Sequence, residues 1–210
     1  MPITNSEQGA ITEAEFVKLV MLTSDGNAVP TRPVVDDEHR DFDIHLRRHL
    51  AALAVQLKTT LRLRKHGRQR LLQITFRLRP PLFTSRRFWY FLAHFDVQTR
   101  TFTEPMYLVP STYLHRHARR GTSMRNGAIP FQIKASLGPD AHDKWSRFRV
   151  TSAELGPRIV SILKELGERA GFAAPAQLEG ASVILINKRR ETRPGTTARR
   201  GLTAFRPYHF

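Results

Sequence analysis

The chain has 210 residues, 40% hydrophobic and 25% charged, a length and balance that suit one well-packed domain. Thirty-four Lys and Arg stand against 18 Asp and Glu, and the net charge of +16 draws polyanions, of which nucleic acid is the commonest inside cells. There is no cysteine, which excludes disulfides, thiolate zinc sites and thiol nucleophiles. No signal-peptide pattern and no window near the roughly 18 apolar residues of a membrane span is found, so a cytoplasmic location without membrane contact is expected.

The first predicted element is a helix over residues 13–23. Thr12-Glu13-Ala14-Glu15 reads as its capping box, and Phe16, Leu19, Val20 and Thr23 form one face. Ser24-Asp25-Gly26-Asn27 is a turn, and the extended run beyond it, interrupted by Pro30 and Pro33, suits an edge strand. Residues 41–46 alternate, with Phe42, Ile44 and Leu46 opposite Asp41, Asp43 and His45. A more apolar strand follows at 53–59, and further strands are expected at 71–78, 88–96 and 106–109, with a turn at 96–99. Ser111 is placed as the cap of a short helix ending at His117. A strand at 131–137, a helix at 155–170 with Ile159, Ile162, Leu163 and Leu166 on one face, and a last strand at 183–186 complete the order. This order gives an α/β fold of the α+β mixed-sheet kind and not a regular doubly wound one. Residues 1–187 form one domain, and 188–210, with seven basic residues and one acid, form a basic tail expected to be disordered.

Acids are scarce overall, yet Asp36, Asp37, Glu38, Asp41 and Asp43 fall within eight positions. Carboxylates this close repel one another unless solvated or neutralised by a cation, and hard cations take such oxygens. Gln56 follows Asp41 by fifteen residues, and Lys58 shares its strand face. If the two strands pair as a hairpin, Asp41, Gln56 and Lys58 converge. Residues 61–87 then carry nine basic residues and no acid.

On these residues, Arg40-Asp41-Phe42-Asp43-Ile44 and Val55-Gln56-Leu57-Lys58-Thr59, the chain resembles the PD-(D/E)XK nuclease superfamily. The apolar strand at 88–96 and the following Met106-Tyr107-Leu108-Val109-Pro110 are similar to its later core strands, and Glu15 matches a carboxylate that many members place on the first helix. The resemblance covers roughly residues 13–118 and departs from the motif at Gln56, which stands where the family carries Asp or Glu. It implies a restriction-endonuclease-like core, with helix 1, a central mixed sheet and flanking helices. It also implies an endonuclease that hydrolyses phosphodiester bonds, DNA being the expected substrate, with Mg²⁺ (or Mn²⁺) as cofactor. Asp41 and Gln56, with Asp43 sharing or replacing the first, would hold the ion. Lys58 would orient water or stabilise charge on phosphorus, and Glu15 would reach the ion through water. Arg62, Arg64, Lys65, Arg68 and Arg70 would grip phosphates without sequence choice. The alternative is a nucleic-acid-binding module that keeps the fold without the chemistry.

Each residue also has a plainer reading. Asp41 and Lys58 can be solvated strand residues, Glu15 the capping-box acid, and Asp36 and Asp37 turn residues. Gln132-Ile133-Lys134 repeats the Gln-x-Lys spacing without a nearby acid, so the first copy is preferred. The nine histidines show no metal-binding spacing and are read as surface or core residues.

Overall fold

A computed structural model describes residues 4–33, 40–47, 51–67 and 69–169. Helix α1 (Asn5–Thr23) is followed by strands β1 (Ala28–Thr31), β2 (Phe42–Leu46), β3 (Ala52–Thr60), β4 (Arg64–His66) and β5 (Gln69–Leu78). Strands β6 (Phe88–Asp96) and β7 (Thr101–Pro110) lead into helix α2 (Ser111–His117) and strand β8 (Arg119–Arg120). Strands β9 (Ile129–Ser136) and β10 (Arg149–Val150) and helix α3 (Ser152–Arg169) follow. Asp36, Asp37, Glu38, Arg68, the strand expected at 183–186, the domain boundary at 187 and the tail at 188–210 lie outside the described residues.

The fold is mixed α+β. Six strands form one mixed sheet in the order β1-β2-β3-β6-β7-β10, in which only the β3–β6 pair is parallel. A second, antiparallel sheet has the order β4-β5-β9-β8. Parallel neighbours need a crossover connection, commonly a helix. Here the connection from β3 to β6 contains β4 and β5, and these two strands begin the second sheet.

The period-2 alternation decides which core each strand residue joins. Phe42, Ile44 and Leu46 of β2 and Leu53, Val55 and Leu57 of β3 pack with Phe16 and Val20 of α1 and Leu155, Ile159 and Leu163 of α3. The other face of the large sheet presents Ala54, Phe88, Tyr90 and Leu92 to Leu72, Ile74 and Phe76 of β5 and Phe131 and Ile133 of β9. The layers are helices, six-stranded sheet, four-stranded sheet. Each large apolar side chain fully buried this way contributes roughly 1.5–3 kcal/mol.

Two expected helix caps are displaced. Helix α1 begins eight residues earlier, where the Glu7 N–H donates to Thr4 Oγ1 (3.3 Å) and Thr4 N–H to Glu7 Oε2 (2.8 Å). Thr12 is interior, its hydroxyl donating to the Gln8 carbonyl (2.9 Å), so Glu15 is not a capping residue. The polar first turns of α1 carry no apolar rhythm, which is why periodicity finds only the later half. Pro110 takes the N-cap position of α2, and Ser111 instead exchanges hydrogen bonds with the Ser85 backbone (2.9 and 3.0 Å).

Helices α1 and α3 meet at Gly156, whose N–H donates to Thr23 Oγ1 (3.0 Å). A Cβ at Gly156 would stand 2.5 Å from the backbone nitrogen of Ser24 and from the carbonyl carbon of Thr23. Backbone atoms in a packed layer yield poorly, so Gly156→Ala is expected to destabilise the protein by about 1–3 kcal/mol. Urea denaturation of the two proteins checks this, and a midpoint unchanged by the substitution contradicts the close approach.

Candidate functional site

Strands β2 and β3 are adjacent and antiparallel, with Phe42 opposite Val55 and Asp43 opposite Ala54. Asp41 lies just before β2, at the end of this ladder. Its N–H donates to the Val55 carbonyl (3.0 Å), and its Oδ2 accepts from the Leu57 N–H at 2.6 Å. The carboxylate thus does for Leu57 what a further residue of β2 would have done. Asp41 holds the backbone on both sides of Gln56.

Gln56 sits in the middle of β3 and is only 5% exposed. Its neighbours in the sheet are Tyr90 on the parallel side and the end of β2 on the other. Its side chain lies on the face covered by the second sheet and lines a cavity of about 580 Å³ with Pro80, Thr84, Phe88, Tyr90 and His115. Oε1 has no hydrogen-bond partner among the described residues. A buried amide oxygen left unpaired costs about 1–3 kcal/mol, so this atom has capacity for a donor or a cation.

Lys58 shares the strand face of Gln56 but lines a different groove, with Asn5, Gln8, Thr59 and Ile74. Its ammonium lies 5.7 Å from the centre of the Phe76 ring, which also packs against Tyr90. Asp43 lies on the same face as Ala54, with Arg40 Nη1 at 3.5 Å from its carboxylate. The structure therefore sets the Asp41 and Gln56 segments side by side, with Lys58 and Asp43 on adjoining positions of the same two strands.

Glu15 is not brought to them. It lies on α1, on the helix side of the large sheet, pairs with Lys18, and lines a groove with Phe95, Val97 and Arg100. Gln8 is the α1 side chain that reaches β3, its Nε2 donating to the Thr59 carbonyl (3.1 Å). Among the described residues, no group of three His, Asp or Glu side chains is close enough to hold a metal ion.

Arg64, Lys65 and Arg70 stand on the β4–β5 hairpin, all exposed, with Lys65 directly opposite Arg70 and Gly67 (φ 59°) at the bend. Exposed Arg62 leads into it. The second Gln-x-Lys copy lies in β9, where Ile133 is buried and Lys134 exposed; its neighbours are β5 and β8, neither with an acid. No helix among the described residues is long and apolar enough to cross a membrane.

A buried polar chain beside Gln56 was not visible in the spacing of the sequence. The Tyr90 hydroxyl and His115 Nε2 are 2.8 Å apart, and His115 Nδ1 and Thr84 Oγ1 are also 2.8 Å apart. Burial pushes the His115 imidazolium down to about 4 with the Arg120 guanidinium adding to it, and burial pushes the Tyr90 phenol up. His115 is thus neutral and Tyr90 protonated at neutral pH. The sequence signal was weak because residues 90 and 115 belong to separate elements.

Native His115 resists protonation down to about pH 4, whereas its unfolded counterpart takes a proton near 6.5. Between those values the unfolded chain binds more protons, so stability falls as pH is lowered, by up to on the order of 3 kcal/mol from this group. His115→Gln is expected to remove that part of the loss. Unfolding free energies at pH 7 and pH 4 for both proteins test it, and equal losses contradict the assignment.

No protein-family model matches the chain, and no curated protein matches it in sequence. Among solved structures the chain is similar to a bacterial homing endonuclease, with a TM-score of 0.47 and 11% identity. The alignment covers 81% of this chain and 99% of that one.

Proposed function

We propose that the protein is a metal-dependent endonuclease that hydrolyses phosphodiester bonds in DNA. The reading rests above all on one observation. Asp41 grips the backbone on both sides of Gln56, whose Oε1 is buried without a partner among the described residues. A carboxylate and an unsatisfied amide oxygen carried by neighbouring strands are donors that suit Mg²⁺ or Mn²⁺, which bind through one or two protein oxygens and keep several waters. When bound, the ion would polarise a phosphoryl oxygen and acidify a coordinated water. Asp41 supplies the negative charge and orients the Gln56 strand, and Gln56 supplies a neutral oxygen. Lys58, two residues along the same face, offers its ammonium to the charge that gathers on the phosphorus. The exposed hairpin cations Arg64, Lys65 and Arg70, with Arg62, Arg68 and the net charge of +16, supply affinity for the phosphate backbone.

A second reading, a DNA-binding module without hydrolysis, is favoured by a different fact. The Asp41 carboxylate already accepts the Leu57 N–H, and no third ligand joins it among the described residues.

Incubation of the protein with plasmid DNA and Mg²⁺ or Mn²⁺ separates the two. The endonuclease reading predicts nicking or linearisation that EDTA abolishes. Asp41→Ala and Lys58→Ala should each lower the rate by about 10²–10³-fold, the usual cost of removing one electrostatic contact to the transition state. Salt-sensitive DNA retention with no cleavage under any divalent ion supports the module. Absence of binding to any nucleic acid rejects both.

Gln56→Glu restores the family's acid at a position 5% exposed. A buried carboxylate without a counter-charge is costly, so this variant should melt below the wild type in EDTA and recover when Mg²⁺ is added. Thermal unfolding with and without the ion reads this, and a deficit that Mg²⁺ leaves untouched argues against a metal at Gln56.

A further inference from the structure

The second sheet has one face buried against the large sheet and one face open to solvent. Leu72, Ile74 and Phe76 of β5 and Phe131 and Ile133 of β9 point inward. The intervening residues therefore point outward. The register fixes who stands beside whom on that outer face. Gln73 is opposite Lys134, Thr75 opposite Gln132, Arg64 opposite Leu71, and Arg119 opposite Gln132. Gln132 Nε2 and Thr75 Oγ1 lie 3.5 Å apart across the strands.

This face has an unusual charge. Its four strands contain no Asp or Glu at all. Arg64, Arg77, Arg119 and Lys134 are all exposed, and none has an acidic partner among the described residues. Four outward cations on an acid-free sheet repel one another and have nothing within these strands to offset the repulsion.

The arrangement across the sheet is also ordered. The central strands β5 and β9 carry uncharged hydrogen-bonding side chains, Gln73, Thr75 and Gln132, beside the cations Arg77 and Lys134, whereas Arg64 and Arg119 lie on the outer strands β4 and β8. Three interstrand spacings of about 4.8 Å separate the outer strands by about 14 Å. The major groove of B-form DNA is about 12 Å wide and admits a two-stranded β-ribbon, so β5 and β9 fit within it while β4 and β8 fall over its phosphate rims; its base edges offer hydrogen bonds to Gln side chains. An A-form RNA duplex has a major groove that side chains do not enter.

We propose that the solvent face of the β4-β5-β9-β8 sheet lies over the major groove of duplex DNA, with β5 and β9 entering it. Arg64 and Arg119 lie toward the two phosphate rims, Arg77 and Lys134 bind further phosphates, and Gln73 and Gln132 face the bases. This rests on the reading of the protein as one that acts on DNA, and extends the binding surface from the β4–β5 hairpin to a whole sheet.

The test is a fluorescence-anisotropy titration of the full chain against a short fluorescein-labelled DNA duplex at several salt concentrations. Arg64→Ala/Arg77→Ala/Arg119→Ala/Lys134→Ala should reduce the slope of log K against log salt by about 3–4, near 0.9 for each phosphate no longer neutralised. Arg158→Ala/Lys164→Ala, on the exposed side of α3, should leave the slope unchanged. Gln73→Ala/Gln132→Ala should leave the slope unchanged and weaken discrimination between duplex sequences. Circular dichroism should show each variant folded, since every altered side chain lies outside the core. A wild-type slope in the fourfold variant, or equal competition by an RNA duplex, overturns the groove assignment while leaving DNA binding intact. If the wild-type chain does not bind DNA, the underlying functional reading fails with it.

Discussion

The structure depends on the burial of β3 from both sides. Leu53, Val55 and Leu57 enter the core beneath the helices, while Ala54 and Gln56 enter the core beneath the second sheet. A strand so enclosed must satisfy every backbone group through its neighbours. Partner β6 runs alongside it from Ala54 to Thr60, but β2 ends at Phe42, opposite Val55. Leu57 N–H therefore reaches past the end of β2, and the Asp41 carboxylate is the acceptor that meets it. Gln56 alone breaks the apolar run from 53 to 57, and its Oε1, without a partner among the described residues, belongs to the segment that Asp41 holds in place.

The same connectivity explains where the basic surface comes from. The parallel step from β3 to β6 forces a crossover, and a crossover built of strands instead of a helix lays a second sheet over the Gln56 face. That sheet needs apolar residues on its inner face only. Its outer face is free for charge: Arg64 and Arg77 lie on it, Lys65 and Arg70 on its hairpin, and Arg79, Arg86 and Arg87 in the segment that follows. One topological decision thus encloses the candidate centre and displays cations around it. The Tyr90–His115–Thr84 chain closes the cavity from the α2 side, keeping polar atoms beside Gln56 without a charge of their own.

Much of this was legible in the residues. Alternation at Phe42, Ile44 and Leu46 located β2, the apolar run located β6 at its observed ends, and the pairing of the Asp41 and Gln56 segments followed from treating the two as a hairpin. What escaped had physical reasons. The start of α1 is set by Thr4 and Glu7, which carry no hydrophobic rhythm. Strands β4, β8 and β10 are two or three residues long, too short for any period to show. Glu15 stands on the predicted first helix, yet the turn of α1 that carries it faces Phe95 and Val97, beyond the reach of linear spacing. The second Gln-x-Lys copy was separable from the first only by its missing acid, and β9 does lie in the sheet without one.

The proposed chemistry turns on whether Asp41 and Gln56 together hold a divalent cation. The most direct measurement is anomalous X-ray diffraction from crystals of the full chain soaked in Mn²⁺. The expected result is an anomalous peak within about 2–2.5 Å of an Asp41 carboxylate oxygen and of Gln56 Oε1, with waters completing the shell. A Gln56 oxygen hydrogen-bonded to a water or a protein donor, with no peak beside Asp41 at saturating Mn²⁺, would contradict it.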